Sequence, residues 1–209
     1  MAQVRQIRVG AHALLLECAN GAEVEAWRAE LWRARAVGEL RAAEIVPGAR
    51  TILLDGLEDV EGIAAHLTSV TPGAAADSAS VRVVEIPVEY GGEDLADVAE
   101  HWGATESDVV ARISGTELRV AFCGFAPGWA YLSGLPAELA VPRLATPRPR
   151  VPAGSVAVGG EYVGIYPSAS PGGWRLIGHT DAALFNVDAD PPALLTPGTR
   201  VVLVDRGNQ

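Results

Sequence analysis

The chain has 209 residues, 49% of them hydrophobic, carries a formal net charge of −10, and builds its 16 basic positions from arginine alone. A chain of this length buries about 70% of the surface its unfolded form exposes, enough for one or two small cores without disulfide or metal support. The missing lysine excludes a P-loop, a Schiff-base amine and a biotin-acceptor site, and the acidic balance excludes the broad basic face that duplex nucleic acid requires.

Residues 4–9 and 12–18 alternate or run apolar like two strands around a tight turn at Gly10. Residues 22–37 follow as a helix, with Val24, Trp27 and Leu31 at helical spacing and the pairs Glu25/Arg28 and Glu30/Arg33 on the exposed side. On that pattern Trp27 is a core anchor. Glu44 belongs to a short strand ending at Pro47-Gly48, residues 51–54 give another strand, and 59–67 form a second helix on Val60, Ile63, Ala64 and Leu67. Strands backed by helices on one face make a small α+β layer. The N-terminal MAQVRQIRV lacks the apolar stretch of an export signal. Cys18 and Cys123, far apart in sequence, read as reduced, buried thiols of a cytoplasmic protein.

The small, polar, Pro/Gly-bearing stretch 69–80 reads as a linker, dividing an N-terminal domain, 1–80, from a second domain, 81–209. Residues 81–90 read as a strand interrupted by Pro87. Leu95, Val98, Ala99 and Trp102 form a helical stripe, and Thr105 with Asp108 starts a second helix running to Ser114. These two helices superficially resemble a DNA-reading pair, but TESDVVARIS offers one arginine against two acids, so they are read as a packing cap. The uncharged run 120–137 contains three glycines and two prolines and reads as a strand plus a loop, not a membrane span. Short apolar runs at 119–122, 156–158, 162–165, 175–177, 183–185 and 200–204, separated by turn residues, point to a closed or nearly closed β-barrel.

Function is concentrated in 123–180. Eleven of the 14 prolines follow residue 120, and within 120–180 four arginines meet only two acids, a bias that suits a carboxylate or phosphate. Pro127-Gly128 and Pro171-Gly172-Gly173 shape turns, with Gly124, Phe125 and Ser170 beside them. Trp129, Tyr131, Tyr166 and Trp174 supply flat apolar surfaces with polar edges. Arg143, Arg148 and Arg150 are held in extended chain by neighbouring prolines. Ser155 is a loop hydroxyl without the pattern of a nucleophile elbow. His179, flanked by Thr180 and Asp181, is the one candidate acid or base. His12, His66, His101 and His179 are dispersed without ligand spacing, so no metal site is expected.

The ordered pieces GFAPGWAYL, PRLATPRPRVPAGSV and GIYPSASPGGWRLIGHT, with VEYGGEDLADVAEHWGATESDVV upstream and PPALLTPGTRVVLV downstream, closely resemble one family. It is variously called allophanate hydrolase subunit 1, KipI or the B-type subunit of 5-oxoprolinase. Two departures stand out: Trp129 occupies a position where the family usually has Phe, and a histidine usual near Ile113 is missing. The resemblance implies an α+β N-terminal domain followed by a cyclophilin-like barrel, related to the carboxyltransferase part of urea carboxylase. It implies one component of an ATP-dependent 5-oxoprolinase that opens a stable lactam to glutamate and is inactive alone. The partners it implies are an allophanate hydrolase subunit 2-like protein, the C-type component of 5-oxoprolinase, and a LamB/YcsF-type protein, the A-type component. ATP with Mg would enter at the level of the complex, and no covalent cofactor is carried here. A lysine-dependent amidase of the kind that cleaves allophanate is excluded. On this resemblance Arg143, Arg148 and Arg150 would grip a carboxylate or phosphates, and Trp129, Tyr166 and Trp174 would shape a pocket for a small amide. The glycines of GFAPG and SPGGW would present backbone N–H groups. Two other expectations are a KipI-like regulatory binder that inhibits a sensor histidine kinase and, on fold analogy alone, a prolyl isomerase.

Overall fold

The computed structural model describes residues 4–73 and 82–207, and the chain falls into two compact units, Met1–Ser80 and Val81–Gln209. Most of the expected linker, 74–80, lies outside the described residues.

In the first unit β1 (Arg5–Val9), β2 (Ala13–Glu17), β3 (Glu44–Pro47) and β4 (Thr51–Asp55) form an antiparallel sheet in the order β1-β2-β4-β3. Alternation along β2 and β4 sends Leu14, Leu16, Ile52 and Leu54 into the core. There they meet Val24, Trp27 and Leu31 of α1 (Gly21–Ala36) and Val60 and Leu67 of α2 (Val60–Ser69). Both helices begin where a side chain satisfies an orphan N–H: Asn20 accepts from Glu23 N and Asp59 accepts from Gly62 N. Arg28, expected on the exposed side of α1, is buried. Its fork bonds Glu25 twice at 2.6 Å while its guanidinium lies 4.6 Å over the Trp32 ring, so the charge is satisfied within the packed layer.

In the second unit β5 (Val83–Tyr90) is followed by α3 (Leu95–Trp102), α4 (Glu106–Ser114), β6 (Leu118–Cys123), β7 (Ala130–Ser133) and a single 3-10 turn at Ala137–Leu139. Then come β8 (Arg148–Val151), β9 (Ser155–Gly159), β10 (Tyr162–Ile165), β11 (Ser170–Gly172), β12 (Arg175–His179) and β13 (Arg200–Asp205). Seven strands close a barrel in the order β10-β7-β6-β13-β5-β12-β9, with β8 and β11 forming a separate two-stranded ribbon. β13 pairs in parallel with β5. The barrel core is filled by β-branched and leucine side chains, among them Val120, Leu132, Val156, Val158, Val163, Ile165, Ile177 and Leu203. α4 opens with a reciprocal capping box between Thr105 and Asp108, and α3 docks through Trp102 Nε1, which donates to Leu139 O at 2.9 Å.

The run 183–185 forms no strand: Phe185 makes one isolated bridge to Ala193. The adjacent Pro191 and Pro192 remove the N–H donors that a ladder would need. No helix among the described residues is long and apolar enough to cross a membrane.

Cys18 is buried and Cys123 partly so, both as free thiols. Burial pushes each thiol up to about 11. Neither should react quickly with a disulfide-exchange reagent at pH 8, where the thiolate is scarce. A group whose folded pKa is raised stabilises the fold only while it stays protonated, so stability should be level below about pH 9 and fall as pH climbs toward 11. A pH series of urea midpoints checks this, and rapid native-state labelling of Cys18 would contradict it.

Candidate functional site

The period of two in β9, β10 and β12 divides their residues between two faces. Val156, Val158, Val163, Ile165 and Ile177 fill the barrel, while Ala157 and Leu176 join Trp129, Val151, Tyr166 and Trp174 in a second cluster outside it. Two glycines on this outer face make room for indoles. A Cβ on Gly159 would stand 2.6 Å from Trp174 Cδ2, and one on Gly164 would stand 2.8 Å from Trp129 Cζ2. The rings can therefore lie close against the strands.

Trp129 meets Tyr166 edge-on at 4.7 Å and Trp174 at 5.2 Å between centroids, and Phe122 stacks on Tyr131 at 4.2 Å. Trp129, Tyr166 and Trp174 are only 2%, 1% and 5% exposed. They pack on one another as a filled aromatic floor and do not stand apart as walls of a cavity.

The β8–β11 ribbon continues this floor. Gly172 pairs with Arg148, and a Cβ on Gly172 would collide with Tyr166 Oη, so glycine is what lets the phenol pass beneath. Burial pushes the Tyr166 phenol up, opposed by a hydrogen bond from the Trp174 backbone and by the charges of Arg143 and Arg148. Arg143 is exposed and sits 5.6 Å from the Trp174 ring centroid. Leu144 N donates to Gly173 O at 2.7 Å, tying the 142–147 loop to the ribbon.

Arg148 is not a free cation. Its Nη2 donates to Asp94 Oδ1 at 2.8 Å and lies 3.2 Å from Glu93 Oε2. Asp94, only 4% exposed, also accepts from Leu176 N at 2.7 Å. Arg175 Nη1 donates to Asp97 Oδ2 at 2.7 Å and stands 4.0 Å from Asp94 Oδ1. Arg148 Nη1, Trp129 Nε1 and Ser170 Oγ are buried without a hydrogen-bond partner among the described residues. Three such donors on Trp129 and the β8–β11 ribbon are an unusual concentration, since buried polar groups are generally paired. Beside the Arg175–Asp97 pair opens a cleft of about 500 Å³, lined by Asp97, Glu100, His101, Val141, Pro142 and Arg175.

Asp94 went unrecognised by sequence reasoning. Its signal was present in GGED, an acid at the start of an apolar helical stripe, where it would be expected to cap the helix. It makes no side-chain cap bond. Gly92 lies so close to β12 that a Cβ would stand 2.5 Å from Leu176 O, and that approach turns the Asp94 carboxylate toward the strand.

The remaining candidates border this cluster: Tyr166 N donates to Ser155 O at 2.9 Å and Gly154 N to Tyr166 O at 2.7 Å. Ser155 and His179 are register partners on β9 and β12. Ser155 is buried, while His179 is exposed with Nε2 3.3 Å from Asp181 Oδ1. The His179 ring rests against Gly154, where φ is +80 and a Cβ would stand 2.5 Å from His179 Cε1. Arg150 is exposed on β8. Gly124, Phe125, Pro127 and Gly128 form a loop tip beside Trp129, with Phe125 at φ 65 and its ring edge-on to Trp129 at 5.2 Å. Among the described residues no group of three His, Cys, Asp or Glu is arranged to hold a metal ion.

Known proteins resemble this chain in sequence and fold. Residues 4–195 match the family described as carboxyltransferase domain, subdomain C and D. The chain is 41% identical over 219 residues to a protein of Escherichia coli O157:H7 named as the B-type subunit of 5-oxoprolinase, covering 98% of this chain and 97% of that protein. The crystal structure of TTHA0988 superposes with a TM-score of 0.73 at 34% identity over 94% of this chain, which spans only 40% of that longer chain. The urea amidolyase of K. lactis shares the fold, with a TM-score of 0.70 at 18% identity over 97% of this chain and 15% of its own. The chain belongs to the carboxyltransferase subdomain C and D family, together with the proteins named as B-type subunits of 5-oxoprolinase.

Proposed function

We propose that this chain is the B-type subunit of an ATP-dependent 5-oxoprolinase. The observation that carries the reading is 41% identity across nearly the whole of both chains with a protein of that name. The names of the relatives favour an oxoprolinase component over a kinase inhibitor. The reaction consumes 5-oxoproline, ATP and water and yields glutamate, ADP and phosphate. A lactam carbonyl is a poor electrophile; transfer of the γ-phosphoryl group to its oxygen releases ADP. Water then adds at the carbon, the C–N bond breaks to release the amine and leave an acyl phosphate, and a second water hydrolyses that to the carboxylate and phosphate.

In this reading the protein works in the cytoplasm with a C-type and an A-type partner, and its two units are an α+β domain and a cyclophilin-like barrel domain. The aromatic floor and the arginines around Tyr166 bind the substrate carboxylate or ATP phosphates, with Arg143 the accessible cation and Arg148 the oriented one. His179, beside Asp181 at the far end of β12, is proposed as an acid or base.

The test is glutamate and ADP release from 5-oxoproline and ATP by the three components together, repeated with this chain omitted. Release that stops on omission supports the assignment. Release that continues unchanged, or none from a stably assembled complex, overturns it. Arg143→Ala should leave stability within about 0.5 kcal/mol, as an exposed site allows, and lower turnover about tenfold or more by removing a charge-assisted contact. Unchanged kinetics would remove Arg143 from the site.

A further inference from the structure

Two of the three phenylalanines in the chain are exposed, on two segments that lie side by side. Phe125 is 63% exposed at the tip of the GFAPG loop, Phe185 is 41% exposed and Val187 77%. Gly128 joins the two segments: its φ is +84, and a Cβ there would stand 2.8 Å from Phe185 Cβ and 3.1 Å from Leu184 O. Phe125 is the one non-glycine residue with positive φ among the described residues. A left-handed backbone at a bulky residue and a ring left in water are both unfavourable for the chain by itself. Glycine would remove both penalties and forfeit one edge-on contact with Trp129 at 5.2 Å, so most of what the Phe125 ring offers faces solvent.

The segment that carries Phe185 and Val187 is acidic: residues 176–199 contain no arginine, and Asp188 and Asp190 lie just after Val187 in exposed chain. An aromatic anchor with an acidic rim fits a protein surface that offers an apolar socket edged by basic side chains. Chain length indicates which protein that is. This fold is 40% of the TTHA0988 chain, so there it is carried together with a larger remainder, and the family description names subdomains C and D of a larger domain.

We propose that Phe125, Phe185 and Val187 are the anchor through which this chain docks onto the protein corresponding to the remainder of the TTHA0988 chain. The inference rests on the assembly reading above for the partner and is independent of the reaction.

The experiment is calorimetric titration of the full chain with the C-type partner of the proposed assembly, taken as the counterpart of the TTHA0988 remainder, at 50 and 300 mM salt, using the native chain, Phe125→Gly and Val187→Asp, with melting temperatures measured for each. The expected result is a complex that weakens at the higher salt and loses tenfold or more affinity in both variants. Phe125→Gly should melt no lower than the native chain. Unchanged affinity in both variants overturns the proposal, as does absence of a complex with the native chain at micromolar concentrations. A Phe125→Gly protein that melts lower yet binds normally assigns the ring to the fold and also overturns it. A complex that assembles through this patch but releases no glutamate refutes the oxoprolinase reading and leaves the docking surface standing.

Discussion

Replacing Asp94 by alanine should cost the barrel unit about 3 kcal/mol, because it removes one side of a largely buried ion pair. Two losses combine. Arg148 loses its 2.8 Å acceptor, and Leu176 N, the second residue of β12, loses its 2.7 Å one. Each group left without a partner carries a desolvation penalty of about 1–3 kcal/mol. Glu93 offers Arg148 a second carboxylate, but its side chain is largely exposed and contributes little. Asp94→Asn, which keeps an acceptor for Leu176 N, should recover about half the loss. Urea unfolding of the three proteins decides the matter. An alanine variant within about 0.5 kcal/mol of the native chain would show that the network is replaced by water. The consequence for function is that Arg148→Ala cannot by itself separate substrate binding from folding, which is why the exposed Arg143 is the cleaner probe.

Gly159→Ala should be nearly as damaging, at about 2–3 kcal/mol, through overpacking. The added methyl would stand 2.6 Å from Trp174 Cδ2 and 2.8 Å from both Cε2 and Cγ. The indole has little room to retreat, since Trp129 stands against it at 5.2 Å and Tyr131 at 5.7 Å between centroids. Relief would have to come from lifting Trp174 away from the barrel. Tryptophan fluorescence should then shift to the red together with the fall in urea midpoint. A native emission maximum at native stability would mean that the strand, not the ring, gives way.

Several elements were legible from local pattern alone. Val24, Trp27 and Leu31 at helical spacing placed α1, and Thr105 with Asp108 placed the start of α4 with its capping box. The apolar runs 12–18 and 51–54 placed β2 and β4, whose Leu14, Leu16, Ile52 and Leu54 the structure sends into the core. β7, β8 and β11 were not foreseen. They are four, four and three residues long, β8 and β11 each contain a proline, and so short a run has no period to read. The run 183–185 failed in the opposite sense, since an apolar triplet is a strand only if something supplies its ladder partners.

For the site, composition alone determined that lysine chemistry is absent, and local order in 123–180 identified the glycines, aromatic residues and arginines that gather around Tyr166. Both are properties of neighbours along the chain. Only the tertiary structure decided that Arg148 is already bound to Asp94, that the tryptophans pack into a floor, and that His179 stays exposed beside Asp181. Asp94 and Arg148 are 54 positions apart, and their meeting depends on Gly92 lying against β12 as the barrel closes. No local propensity records that approach: it is set by which strands pair, and pairing over long separations is a property of the whole packed chain.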